Sequence, residues 1–475
     1  MIERGYNSAL VALFYLIVTL ALRMQTFGNP LLHIDEGFYL LVGDRMLHGA
    51  IAYVDIWDRK PVGLFLIYAA IRWLGGEGII QYQCVAALSV AATAYLLYRL
   101  ALRVAPRGPA VFGGLAYVCW VAMFDGDGGQ TPIFYNVFMV AAAGLAMTVA
   151  TRDARGNVAR GGTAMLLVGC AIQIKYNVIF EGAYFGLAML WARRSNGAQA
   201  IVSTGLLWVV LALLPTALAF SAFAATGHGA AFDYANFVSI FERVADSHAR
   251  QFKRLITIIG IISPLLFVGY PAIRSRTKTG EALFVLGWLC AAALFFLLFG
   301  TYFPHYALPL LLPVAVVAAI GLDRIARPRA VAAAVLGVGA IASVTVSGVN
   351  IRSKGDYVTA KRLTAEFNPK DQACPFIFDG NPVLYFLSNS CLPSRFIFPS
   401  HLNAVIEAQA IGVDQRLEIR RIMRNRPQLV MTLEPHFVDE NPRARATLDA
   451  ELLAHYRAPT RLPYGKRTAL FYRPK

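Results

Sequence analysis

Residues 31–61 read LLHIDEGFYLLVGDRMLHGAIAYVDIWDRKP. Asp35 and Glu36 open a helical pattern that reaches about residue 48, and Asp58, Arg59 and Lys60 close the stretch just before Pro61. This polar island sits between two long apolar runs, at about 7–25 and 78–98, and that contrast decides the fold class. Across its 475 residues the chain is 57% apolar and only 15% charged, where a soluble domain is about half apolar and a quarter charged. The excess is gathered in runs, which excludes a water-soluble enzyme and a disordered chain. A membrane-spanning helix needs roughly 20 mostly apolar residues, fewer where other helices bury it. Further runs at about 108–124, 132–150, 162–175, 177–192, 201–225, 255–273, 282–299, 305–322 and 331–349 bring the expected spans to eleven. The chain is expected to be an α-helical polytopic membrane protein.

Charge supports this count. A net charge of +16, from 44 Lys and Arg against 28 Asp and Glu, would suggest nucleic acid in a soluble protein. Here the positive residues collect in alternate connections: Arg99, Arg103 and Arg107; Arg152, Arg155 and Arg160; Arg193 and Arg194; Arg274, Arg276 and Lys278; Arg324, Arg327 and Arg329. The connections at 125–131 and 300–304 have no Lys or Arg. This is the positive-inside pattern, with the N-terminus cytoplasmic and no nucleic-acid partner needed. Basic loops flank residues 161–192 on both sides, so that segment is expected to cross twice, as two short helices meeting near Lys175. The first run follows Arg4 like a signal peptide, but LRMQTFG offers no small-x-small cleavage site, so it reads as a retained anchor.

Eleven crossings leave the C-terminus outside and divide the chain into a transmembrane domain, 1–349, and an extracytoplasmic α/β domain, 350–475. In the second part, PFIFDG (375–380), PQLVMTL (427–433) and TALFYR (468–473) alternate with helical patterns as strands do. Cys374 and Cys391 lie in this disulfide-permitting compartment, either as a bridge or as two buried thiols. The first outside loop, 26–77, contains helical patterns at about 36–48 and 61–74, the second apolar but short and suited to the membrane interface. Residues 226–254 form another large loop with a mixed-charge amphipathic pattern, read as a solvated connecting helix or a binding element. The sequence shows no internal repeat, CxxC pair, P-loop or GxSxG, which disfavours a transporter with inverted repeats, a zinc ribbon and a nucleotide-driven pump.

The residues able to carry chemistry cluster in the first outside loop. Asp35 could serve as a general base, or cap the helix it begins while Glu36 complements the helix dipole. Tyr39, four residues on, shares the helix face of Asp35. Asp58, Arg59 and Lys60 precede the interfacial helix; Lys60 could hold a lipid-linked phosphate or simply snorkel. Elsewhere, Lys175 within IQIKYN has the same two readings. Tyr302, His305 and Tyr306 in GTYFPHYALPLLLP could line a polar cavity or form an aromatic belt. No residues show metal-ligand spacing. No cofactor is required, although Glu36 and Asp58 are groups that could ligate a divalent cation.

Taken in order, the single span, the loop from Asp35-Glu36 to Lys60-Pro61, about ten further spans and an outer α/β domain resemble the GT-C class of integral-membrane glycosyltransferases. The resemblance covers essentially the whole chain. It is closest to the bacterial group of protein O-mannosyltransferases and lipid A aminoarabinose transferases (glycosyltransferase family 39-like). Its most specific part is D-E-x-x-Y at Asp35, Glu36 and Tyr39 with K-P at Lys60-Pro61; FPHYALPLLLP resembles a late helix bearing tyrosine and histidine, and residues 375–402 an outer domain of the group. The group often has Lys-Pro-Pro where this chain has Lys60-Pro61-Val62.

The resemblance implies sugar transfer, with inversion, from a polyprenyl-phosphate donor to a lipid, polysaccharide or protein acceptor, outside the bacterial cytoplasmic (inner) membrane. It implies Asp35 as the base, Glu36 in support, and Lys60 and Tyr39 at the donor phosphate. A ligase or polymerase using a polyprenyl diphosphate, drawing on Arg243, His248, Arg250 and Arg254, is the alternative enzyme; a transporter or flippase is the alternative class.

Overall fold

The computed structural model describes residues 2–152, 157–276, 278–368 and 373–475; Arg155 of the basic loops lies outside them. The first helices in chain order are α1 (Ile2–Arg23), α2 (Ile34–Leu47), α3 (Val62–Trp73), α4 (Ile79–Ala101), α5 (Arg107–Val121), α6 (Thr131–Thr151), α7 (Val158–Ile172) and α8 (Ile179–Ala192). There follow α9 (Ala198–Ala225), α10 (Gly229–Asp233), α11 (His248–Arg274), α12 (Gly280–Phe299), α13 (Leu308–Leu322), α14 (Pro328–Lys354) and α15 (Tyr357–Thr364).

Nine helical segments among the described residues are long and apolar enough to cross a membrane, and the protein is a multi-pass membrane protein. The two other expected spans are α7 and α8, of 15 and 14 residues. They meet at a turn containing Lys175. The amphipathic stretch after residue 226 is not one helix. It breaks into α10, a wide π-turn at Tyr234–Val238 and a 3-10 turn at Ser239–Glu242, and α11 then begins at His248, ahead of the expected boundary.

After α15 come β1 (Phe376–Ile377), α16 (Val383–Leu387), α17 (Pro399–Asn403), α18 (Gln415–Arg424), β2 (Val430–Glu434), α19 (Pro442–His455), β3 (Thr460–Tyr464) and β4 (Arg467–Tyr472). The sheet order is β1-β2-β4-β3. β1 and β2 pair in parallel, Phe376 against Val430, whereas β4 runs antiparallel to both β2 and β3. Cys374 and Cys391 form a disulfide, with their Cα atoms 5.1 Å apart.

The chain forms two compact units. One comprises 1–25, 84–219 and 247–347; the other comprises 26–83, 220–246 and 348–475. The first is helical, with α13 buried along nearly its whole length. The apolar composition of α13, LPLLLPVAVVAAIGL, suits a helix with neighbours on every side.

In the second unit both outer loops pack with the α/β segment. Trp57, from the first loop, lies in one core with Phe376, Phe378, Phe396, Leu402, Ile419 and Val430. Burying an indole of this size is worth on the order of 4 kcal/mol, enough to anchor the loop. Helix α2 approaches its neighbours through glycines. A Cβ at Gly37 would lie 2.7 Å from Val383 Cβ, and one at Gly43 would lie 2.6 Å from the Ala69 backbone nitrogen.

Candidate active site

Asp35 and Glu36 both lie in the first turn of α2, where the unpaired N–H groups favour negative charge. The helix begins at Ile34 and its cap position is His33, so Asp35 is not the capping residue. Glu36 and Tyr39 are buried, and Asp35 is half-buried. The ring of Tyr39 meets that of Tyr68 from α3, centroid to centroid, at 5.6 Å. Burial and then the charges of Glu36, Tyr82 and Asp35 raise the Tyr68 phenol well above its usual range, so it remains a neutral hydroxyl.

Lys60 is brought to the same ring group. Its Nζ lies 5.7 Å from the centre of the Tyr39 ring and 3.7 Å from Asp58 Oδ1. Its backbone is fixed as well, because the Tyr53 hydroxyl donates to the Lys60 carbonyl at 2.9 Å. Tyr53 takes a positive φ of 70° and packs against Phe232 at 5.7 Å, which ties the turn before Lys60 to the second loop. Pro61 then fixes the direction of the chain into α3. The side chain of Lys60 keeps 26% of its exposure, so it is only partly withdrawn from the surface.

Arg59 points elsewhere. Its guanidinium forms paired hydrogen bonds with Glu407, in a 3-10 turn at Val405–Glu407, including one of 2.9 Å to Oε1. It also donates to Ser239 Oγ at 3.1 Å, and that hydroxyl donates in turn to the Ala410 carbonyl. Arg243 reaches the same carboxylate at 2.9 Å. Burial alone would raise the Glu407 carboxyl, but Arg59 and Arg243 overcome it and hold the group down at about 2. His401 meets Trp57 edge to face at 4.7 Å, and its burial lowers it to about 4, leaving a neutral imidazole. Sequence reading missed Glu407. The available signal was a single acid in the apolar run AVIEAQAIG, since a carboxylate is rarely buried without a cation beside it.

The remaining expected residues form a second group, in the helical unit. Lys175 Nζ sits 3.9 Å from the centre of the Tyr306 ring. His305 contacts that ring at 4.6 Å. Tyr302 turns aside, donating its hydroxyl to the Leu297 carbonyl at 2.8 Å. The same unit buries Glu181, whose carboxylate accepts from the indole N–H of Trp288. Among the described residues, no three of His, Cys, Asp and Glu gather as a metal site.

Comparison with solved structures places this architecture. ArnT from Cupriavidus metallidurans in the apo state superposes with a TM-score of 0.66 at 16% identity, over 99% of this chain and 98% of that one. The same enzyme bound to undecaprenyl phosphate gives 0.61 at 16% identity over the same shares. This chain has the GT-C fold. The mycobacterial arabinofuranosyltransferase AftD gives 0.53 at 12% identity, over 98% of this chain and 40% of AftD. No protein-family model matches the sequence, and no curated protein matches it either.

Proposed function

We propose that this GT-C protein transfers a sugar from a polyprenyl-phosphate donor to an acceptor hydroxyl on the outer face of a bacterial inner membrane. The observation that carries the reading is the convergence of Lys60 and the Asp35-Glu36 pair on the buried rings of Tyr39 and Tyr68. A polyprenyl donor keeps its tail in lipid and its phosphate at the surface, so its site needs a cation at the membrane boundary. The solved complex of a fold neighbour with undecaprenyl phosphate supports this class of ligand.

The chemistry needs few groups. The acceptor oxygen attacks the anomeric carbon from the face opposite the phosphate, forming the new glycosidic bond as the carbon–phosphate oxygen bond breaks. Asp35 takes the acceptor proton. The donor departs as a polyprenyl phosphate whose growing charge is met by Lys60, with Tyr39 beside it. Glu36 orients the first turn of α2, and Asp58 holds the ammonium of Lys60. Arg59 acts through Lys60 rather than on substrate. Lys175 and His305, both against the Tyr306 ring, are a second pair of candidate contacts within the helical unit, whereas Tyr302 is engaged with the Leu297 carbonyl. The ligase reading is weakened because Arg243 is already engaged with Glu407.

The test is sugar transfer and donor binding measured on one purified protein. Asp35→Asn is expected to bind undecaprenyl phosphate normally and to transfer sugar about 10³-fold more slowly. Wild-type turnover in that variant would move the base elsewhere.

A further inference from the structure

We infer that Glu407 is a positioning residue for the donor site: by clamping Arg59 it holds the adjoining Lys60 in place, so the C-terminal α/β segment helps to build the phosphate site. The inference rests on the reading of Lys60 given above. It draws on four features of one compact unit. Arg59 is bound by both oxygens of Glu407, in a geometry that fixes the plane of the guanidinium. Glu407 is almost wholly buried, at 3% exposure, and its second cation, Arg243, comes from the 220–246 segment. Trp57, two residues before Arg59, is locked in the α/β core, and its backbone N–H donates to the Arg395 carbonyl at 2.9 Å. The Lys60 carbonyl is held by Tyr53 on the other side.

The segment from Trp57 to Lys60 is therefore held by its backbone at both ends and, between them, by the Arg59 side chain on Glu407. Three segments far apart in sequence, carrying Arg59, Arg243 and Glu407, meet in this ion triad. A buried carboxylate that neutralises two guanidiniums costs desolvation energy, and a well-packed apolar residue would often serve stability as well. Such a triad is better explained by the geometry it imposes.

The experiment measures the affinity of the purified, detergent-solubilised full chain for undecaprenyl phosphate, with thermal unfolding recorded on every variant. Variants are Glu407→Gln, Glu407→Asp, Arg59→Gln, the double variant Arg59→Gln/Glu407→Gln, and Lys60→Ala. Glu407→Gln is expected to weaken binding about tenfold, Glu407→Asp to recover most of it, and the double variant to bind no worse than the worse single one. If Glu407→Gln folds and binds as tightly as wild type, or more tightly, the inference fails. Should Glu407→Gln not fold, Arg59→Gln carries the same expectation, and unaltered binding there overturns it equally. If Lys60→Ala leaves binding unchanged, the reading of the donor site fails; if only Lys60→Ala weakens it, the site stands and the positioning role falls.

Discussion

Two lysines in this molecule rest on tyrosine rings, and their settings differ. Lys60 lies near Tyr39 at 5.7 Å with the Asp58 carboxylate 3.7 Å away, on a loop anchored by Trp57, Arg59 and Tyr53. Lys175 is buried and lies closer to its ring, 3.9 Å from Tyr306, at the junction of two short apolar helices. The first is a partly exposed side chain on a polar turn with a carboxylate beside it. The second is buried against one aromatic ring, whose face offsets part of its desolvation. The contrast shows that the frame around a lysine, a polar turn in one case and an apolar helix junction in the other, sets how its charge is met.

That contrast can be broken in several ways. The largest effect belongs to the carboxylate proposed as the base: Asp35→Asn is expected to lower the transfer rate about 10³-fold, the range of a lost general base, with donor binding retained. Single-turnover transfer assays read this directly. Lys60→Ala is expected to weaken undecaprenyl phosphate binding by roughly 10- to 100-fold, as for a lost charge-assisted hydrogen bond, and calorimetric titration measures it. Lys175→Ala should weaken the same binding by less than about tenfold, the scale of a cation–π contact. An equal or larger loss at Lys175 would reverse the ranking of the two lysines.

The smallest effect is in acid. Glu407 is held at about 2, below the usual carboxylate value of 4.5. Its contribution to stability is therefore complete above about pH 4.5 and disappears as the pH falls toward 2. His401, lowered from 6.5 to about 4, adds a loss of stability between those values as the pH falls. Thermal unfolding across pH 7 to 3 should show a progressive decline, and Glu407→Gln should flatten its lower part.

Much of the membrane architecture was legible because apolar length and Arg-rich loops are local signals. Short helices meeting at Lys175 followed from loop charge alone. Strands β1, β2 and β4 were visible as short apolar runs, whereas β3, TRLPY, was not, since its residues are mostly exposed and Pro463 breaks the pattern. The helix start at Ile34 was set by backbone geometry that no side-chain rule reveals, which removed the capping role of Asp35. The position of the first loop was hidden for a different reason. Trp57 is an isolated aromatic in sequence, and only the fold supplies the core it enters. Glu407 was marked only as a lone acid in an apolar run; its partners Arg59 and Arg243, hundreds of residues and over a hundred residues away in the chain, are supplied by the fold.

The account is tested most directly in cells lacking the gene, by mass spectrometry of their lipid-linked sugars and envelope glycans. It requires a polyprenyl-phosphate sugar to accumulate while one residue disappears from an envelope glycan, with recovery on return of the wild-type gene and none with Asp35→Asn present at normal levels in the membrane. An unchanged lipid-linked pool with intact envelope glycans, or full recovery by Asp35→Asn, would contradict it.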